Sequence, residues 1–232
     1  TPNFNFAPRP MAPGQLGNFR AAGFNILNYW TTFGSRGAGD SIEFDRQSHK
    51  LVAAIDMIDA DVMAIMEFEN NGTVAADSLI ARLNAVASDN YTPIINTANP
   101  NSEPIQVGMI YKASQLTPIG SLIIDTIATW EFVTIAQKFR HIPSNNIIGL
   151  VAVHYTFKGG CFGAIGGNQD LNDGQACNNL RRVQQSQRLE VLLSALEDSS
   201  NAAGWIVLGD FNAYTQEDPI DMLRDSGFIV LD

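Results

Sequence analysis

Four apolar runs, far apart along the chain, are each interrupted or ended by one polar residue that apolar surroundings tolerate poorly. Asn25 stands inside Gly23-Phe24-Asn25-Ile26-Leu27, and Glu67 near the end of Asp61 to Phe68 (DVMAIMEF). His154 follows Gly149 to Val153, and Trp205 to Leu208 runs into Gly209-Asp210-Phe211-Asn212. Continuous apolar runs this short suit strands buried on both faces. An ionised Glu67 there needs a partner or a cation, and a buried Asn25 needs partners for both its oxygen and its amide. Asp210 and Asn212 offer a hard oxygen ligand or base beside a neutral donor, while an imidazole suits proton transfer. Each residue also has an ordinary reading: a turn for Gly-Asp-Phe-Asn, a wet strand end for Glu67, a backbone-bonded core amide for Asn25, a structural histidine for His154. Together, at the ends of four different strands, they point to a single metal-centred site.

The remaining pattern predicts the frame. Strands are expected at Arg20 to Leu27, Asp61 to Phe68, Tyr91 to Ile95, Ile105 to Tyr111, Ile119 to Ile127, Phe132 to Phe139, Ile147 to Val153, Trp205 to Leu208 and Phe228 to Leu231. Helical spacing runs over Phe44 to Ile58, Thr73 to Ala87 and Pro219 to Asp225. It also runs over Asn178 to Glu197, with Leu180, Val183, Leu189, Leu192, Leu193 and Leu196 inward. Helices set between many strands predict an α+β fold, a layered α/β sandwich. Residues 1 to 19, with Pro2, Pro8, Pro10, Pro13, Gly14 and Gly17, read as a linker from an upstream domain, which leaves 20 to 232 as the folded unit. The start is neither an initiator Met nor a signal peptide and reads as the end of a processed or excised piece.

Charge narrows the function. With 14 Lys+Arg against 24 Asp+Glu the formal net charge is -10, which excludes holding nucleic acid by a general basic field. An anionic substrate then requires a local basic cluster or a bound cation that inverts the local potential. Charged residues are 16% of the chain, below the usual share of about 25%, and only four are lysines. Cys161 and Cys177 flank a Gly/Asn/Asp-rich loop. A disulfide there would close about 15 residues and contribute about 3 kcal/mol, with two free thiols as the alternative. A disulfide and a Lys-poor acidic surface fit an oxidising, extracellular or periplasmic compartment. No run approaches the roughly 18 apolar residues of a membrane span. His49 and His141 read as surface residues, and Arg181, Arg182 and Arg188 as a solvated helix face with Glu190. Asp170-Leu171-Asn172-Asp173-Gly174 has the composition of a loose calcium loop but lacks the acidic twelfth position, where Arg181 stands.

The residues already singled out carry a resemblance. Phe24-Asn25-Ile26, Asp61-Val62 to Met66-Glu67, Val151-Ala152-Val153-His154 and Gly209-Asp210-Phe211-Asn212 resemble, in order, the motifs of the endonuclease/exonuclease/phosphatase superfamily with its DNase I-like fold. FNILNYWTTFGSRG (Phe24 to Gly37), MEFENNG (Met66 to Gly72), DGQACN (Asp173 to Asn178) and GDFNAYTQEDPI (Gly209 to Ile220) resemble its bacterial extracellular nuclease branch. The resemblance implies two packed mixed β-sheets flanked by helices, and a secreted enzyme that hydrolyses phosphodiester bonds of DNA, RNA being a further candidate.

It implies Glu67 as the main ligand of Mg2+ or Mn2+ with Asn25 beside it. Asp210 would orient or activate water, Asn212 hold the scissile phosphate, and His154 stabilise or protonate the phosphate. A structural Ca2+ stays open for the acidic loop. DNA is the expected partner, with upstream domains of the same protein, no membrane, and a monomer. Members of the family continue past the Gly-Phe strand into a segment with a metal-linked Asp and a second catalytic His. No His follows His154 here, so the C-terminal segment is expected to be missing or separate. Phe132-Val133-Thr134 replaces an Arg-Pro-Pro stretch, and His154-Tyr155-Thr156-Phe157-Lys158-Gly159 alters a His-Phe-Lys-Ser-Lys-Gly segment. The alternatives are a lipid or inositol phosphoesterase on the same scaffold and a catalytically incomplete fragment.

Overall fold

In the computed structural model, which describes residues 17–97, 103–127, 130–198 and 201–231, the apolar runs are strands: Val62–Glu69 and Ile147–His154 are buried on both faces, while Ala21–Tyr29 and Trp205–Asp210 are half-buried. The order is β1 (Ala21–Tyr29), α1 (Ser41–Ile58), β2 (Val62–Glu69), α2 (Val74–Asn84), β3 (Tyr91–Ile95) and β4 (Ile105–Lys112). It continues with β5 (Leu116–Asp125), β6 (Thr134–His141), β7 (Ile147–His154), α3 (Asn179–Asp198), β8 (Trp205–Asp210) and α4 (Asp218–Asp225). One sheet has the order β1-β2-β4-β3 and the other β5-β6-β7-β8. The pairs β1/β2 and β7/β8 are parallel and the rest antiparallel, so both sheets are mixed.

Alternation along β2 shows why its sequence is apolar throughout. Met63 and Ile65 pack outward on Leu51 and Ile55 of α1 and Leu79 and Leu83 of α2. Val62, Ala64 and Met66 face the second sheet, where Phe139, Leu150 and Ala152 meet them. In β7 the same period sends Val151 and Val153 to Leu189, Leu192 and Leu193 of α3 and Leu223 of α4. The layers are therefore helix, sheet, sheet, helix, the expected sandwich of two mixed sheets flanked by helices. The strand order leaves β1 and β8 at the ends of their sheets and brings the two together.

Several expectations are corrected. Phe228 to Leu231 forms no strand: the Phe228 N–H closes the end of α4 on the Leu223 carbonyl, Phe228 packs on the α3/α4 core, and Ile229 and Leu231 are exposed. Leu180 is exposed rather than inward, because the buried stripe of α3 runs through Arg182, Gln185, Ser186, Leu189, Leu193 and Leu196 at helical spacing. Arg182 is wholly buried and donates to the carbonyls of Cys177 and Gln175, both at 2.7 Å. Arg188 donates to Asp125 at 2.7 Å, so neither residue belongs to a solvated face. His141 is buried as well, with Nδ1 at 2.8 Å from Ser144 Oγ and its ring edge-on to Phe19.

Cys161 and Cys177 are disulfide-bonded. Among the described residues no helix is long and apolar enough to cross a membrane. The expected linker lies outside the described residues except for residues 17–19.

Candidate active site

The site forms where β1 and β2 stop behaving as regular strands. Asn25 pairs with Met66 and Tyr29 with Phe68, so β1 spends four residues against two of β2. Against β4, Met66 faces Val107 and Phe68 faces Gln106, which leaves Glu67 as the extra residue of a bulge. Leu27, Asn28 and Glu67 all have positive φ, at 55°, 51° and 76°. Such conformations cost non-glycine residues on the order of 1–2 kcal/mol each. The bulge re-aims Glu67: its Oε2 accepts from the Asn28 N–H at 2.8 Å and its Oε1 from Asn25 Nδ2 at 2.9 Å.

Asp210 arrives from the other sheet. An added Cβ at Gly209, whose φ is +157°, would lie 2.0 Å from the Val153 carbonyl oxygen, and one at Gly23 would lie 3.1 Å from the Gly209 nitrogen. The bare Gly209 lets β8 lie close against β7, and the bare Gly23 lets β1 approach β8. As a result Asn25 Nδ2 also donates to Asp210 Oδ2 at 3.0 Å across the two sheets. One amide nitrogen thus bonds both carboxylates, so their oxygens are at most about 6 Å apart.

His154 stands opposite Asp210 in the β7/β8 register. Its Nε2 is 4.0 Å from Glu67 Oε1 and 4.0 Å from Asp210 Oδ2. The ring is stacked on Phe132 at 4.4 Å and is 4% exposed. Burial lowers its pKa below the ordinary 6.5, against the opposing pull of Asp210, Glu67 and Glu131, which leaves a neutral imidazole at pH 7. Asn212, at φ 46°, donates its N–H to Asp210 Oδ1 at 2.9 Å and its Nδ2 to the Tyr155 carbonyl at 3.0 Å. The five residues singled out from the sequence therefore meet in one place, and Cys161 and Cys177 lie in the loop that follows β7.

Two carboxylates share one neutral donor, and the imidazole 4.0 Å from each is neutral and offsets no charge. The two carboxylates are hard oxygen ligands that fit a divalent cation such as Mg2+, which keeps most of its waters and takes one or two carboxylates. The expected ligand role of Asn25 is corrected: its Oδ1 accepts from the Leu27 N–H at 2.9 Å and its Nδ2 faces the carboxylates, so it positions them. Among the described residues no three His, Cys, Asp or Glu side chains form a ready-made cage, at this site or at the acidic loop. In that loop Asp170 and Asp173 instead accept from the backbone of Asn172 and Gln175.

Two acidic residues escaped the sequence reading. Glu69 is buried and its Oε2 accepts from the Thr31 N–H and hydroxyl, the Thr32 N–H and Asn71 Nδ2, all between 2.8 and 3.1 Å. Burial would raise its pKa, but these hydrogen bonds from Thr31 and Thr32 hold it below the ordinary value. It ties the loop after β1 beside Glu67, and its place two residues past Glu67 was the available signal. Glu131 adjoins Phe132, the platform under His154, and acts on the imidazole electrostatically.

The sandwich matches solved proteins of the endonuclease/exonuclease/phosphatase group. The catalytic domain of human nocturnin, with a bound sulfate anion, aligns at a TM-score of 0.58 and 16% identity over 88% of this chain and 68% of that one. A mannosyl-6-phosphatase of Bacteroides thetaiotaomicron aligns at 0.60 and 11% identity, over 90% and 71% of the two chains. An endonuclease/exonuclease/phosphatase protein of Bacteroides vulgatus gives 0.60 and 15%, over 91% and 72%. No protein-family model matches the chain, and no curated protein matches its sequence. The fold is the DNase I-like one.

Proposed function

We propose that the chain is the catalytic unit of a divalent-metal-dependent phosphodiesterase that cleaves DNA, secreted and akin to the bacterial extracellular nucleases. The observation that carries this reading is the Asn25 amide bonded at once to Glu67 and Asp210, with His154 Nε2 at 4.0 Å from both. Glu67, oriented by the Asn25 amide, would hold Mg2+ or Mn2+, and a bound ion supplies the positive charge that polarises a phosphoryl oxygen. Asp210 takes the proton of the attacking water, its Oδ1 fixed by the Asn212 N–H. His154, neutral and buried, donates an N–H to a phosphoryl oxygen as charge builds on it. Asn212 is positioned by Tyr155 to meet the scissile phosphate. The disulfide supports an oxidising compartment.

We further propose that a segment of polypeptide covers the apolar edge of β8, the strand that ends at Asp210. β1 and β8 both end their sheets, and beside β8 opens a cavity of about 910 Å³ lined by Trp205, Leu208, Phe211, Leu223 and Phe228. An apolar strand edge of this kind calls for a cover.

The test is nicking of supercoiled DNA in Mg2+. Asp210→Asn and Glu67→Gln should each lose roughly 10²–10⁴ in rate while keeping the native circular dichroism spectrum. Near-normal turnover in either variant rejects its role. Hydrolysis of a sugar phosphate or sphingomyelin in place of DNA moves the protein to the other substrate class.

A further inference from the structure

Two chain segments leave the site side by side. Beyond the His154/Asp210 pair, the Tyr155 N–H donates to the Asp210 carbonyl at 2.8 Å and Asn212 Nδ2 to the Tyr155 carbonyl at 3.0 Å. Further out, the Lys158 ammonium lies 4.2 Å from the centre of the Tyr214 ring. Tyr214 is two residues past Asn212, so their Cα atoms are at most about 7 Å apart.

An exposed tyrosine by itself means little, but this one is built in. Tyr214 to Glu217 is a turn closed by the Glu217 N–H on the Tyr214 carbonyl at 2.9 Å. Glu217 is buried and ion-paired to Lys158, which fixes the ammonium between carboxylate and ring. The backbone around Lys158 is fixed in turn: Asn178 Nδ2 donates to the carbonyls of Phe157 and Gly159, and Cys177, next to Asn178, is disulfide-bonded to Cys161. With one ring face toward the ammonium, Tyr214 remains 77% exposed.

We propose that Tyr214, held by Lys158, is the stacking platform for a nucleobase next to the scissile phosphate, which makes the substrate a nucleic-acid strand with an accessible base. This rests on the phosphodiesterase reading above. A protein of net charge -10 gains little from a basic track, whereas aromatic stacking is independent of charge and tolerant of sequence.

The probes are a short single-stranded phosphorothioate oligonucleotide and its fully abasic counterpart, with binding followed by fluorescence anisotropy in Ca2+. The protein should prefer the base-bearing oligomer roughly tenfold, the ordinary worth of one stacked base. Tyr214→Ala should abolish that preference and Tyr214→Trp restore it. Equal affinity for the two oligomers, no binding of either, or a preference that survives Tyr214→Ala overturns the proposal. Hydrolysis of ordinary DNA by the same preparation is measured separately: activity with no base preference refutes the platform alone, whereas base preference without hydrolysis refutes the phosphodiesterase reading alone.

Discussion

Replacing Glu67 by Gln should stabilise the metal-free protein and at the same time abolish its response to Mg2+. Glu67 and Asp210 are no more than about 6 Å apart through the shared Asn25 amide. At an effective dielectric of about 20 two such charges repel by about 3 kcal/mol. The side chains are 15% and 31% exposed, and solvent screening reduces the repulsion to about 2 kcal/mol. The neutral His154 offsets none of it. Gln keeps the shape but gives up one of the two accepted hydrogen bonds, worth about 1 kcal/mol. The net gain of about 1 kcal/mol corresponds to a Tm about 2–4 °C higher in EDTA for a chain of this size. Mg2+ at a hundred times its Kd should stabilise the native protein by about 2.7 kcal/mol, or about 5–10 °C, and leave Glu67→Gln unmoved. Differential scanning fluorimetry with and without Mg2+ reads both effects. A Glu67→Gln protein that melts below the native one in EDTA, or that gains as much from Mg2+, would show that the two carboxylates neither repel nor share an ion.

Gly209→Ala should lower stability by about 1–3 kcal/mol and cut hydrolysis with it, because the new Cβ meets the Val153 carbonyl oxygen at 2.0 Å and must push Asp210 from its register with His154. Gly204→Ala, with nothing within 4 Å of the added Cβ, should leave both unchanged, and equal behaviour of the two variants in thermal melts would remove the close-approach explanation. Acid stability should depend on Asp125: burial raises its pKa, but hydrogen bonds from Arg188 and Trp130 win and hold it below its ordinary 3.8. A depressed folded pKa means stability that is present above about pH 4 and is lost as the pH falls through the folded value. Urea midpoints measured from pH 5 down to pH 2 should therefore fall less steeply in Asp125→Asn than in the native protein, and parallel slopes would contradict the pairing.

The parts of the fold that follow from side-chain period were legible in the sequence, and those set by local backbone geometry were not. β2 and β7 read as doubly buried strands because both of their faces need apolar residues, whichever partner each face meets. The expected start of α1 at Phe44 came too late, since apolar spacing marks a helix only from its first core residue. The actual start carries its own chemical signal. Asp40 accepts from the N–H groups of Ile42 and Glu43 at 2.9 Å while Glu43 accepts from Gly39, the residue before the cap, a variant of the capping box visible as Asp-x-x-Glu. Arg182 and His141 depart from expectation for the opposite reason: charge does not mark exposure where backbone carbonyls and a serine hydroxyl satisfy such groups inside.

The site was legible as a set of residues and illegible as a mechanism of placement. Strand period alone would send Glu67 to the face occupied by Met63 and Ile65, into the α1/α2 core. What saves it is the bulge, in which one residue of β2 and two of β1 take left-handed conformations that their side chains disfavour. Nothing in DVMAIMEF announces this, because the bulge is stabilised from outside the run: Asn28 bonds one Glu67 oxygen and Asn25 the other, while Glu69 anchors the loop that follows β1. The carboxylate is thus held by backbone strain on one side and by amide donors on the other, repelled by Asp210 across the sheet gap. Selection for folding alone would relieve each of these, so their coincidence at one point is the physical reason to place the chemistry there.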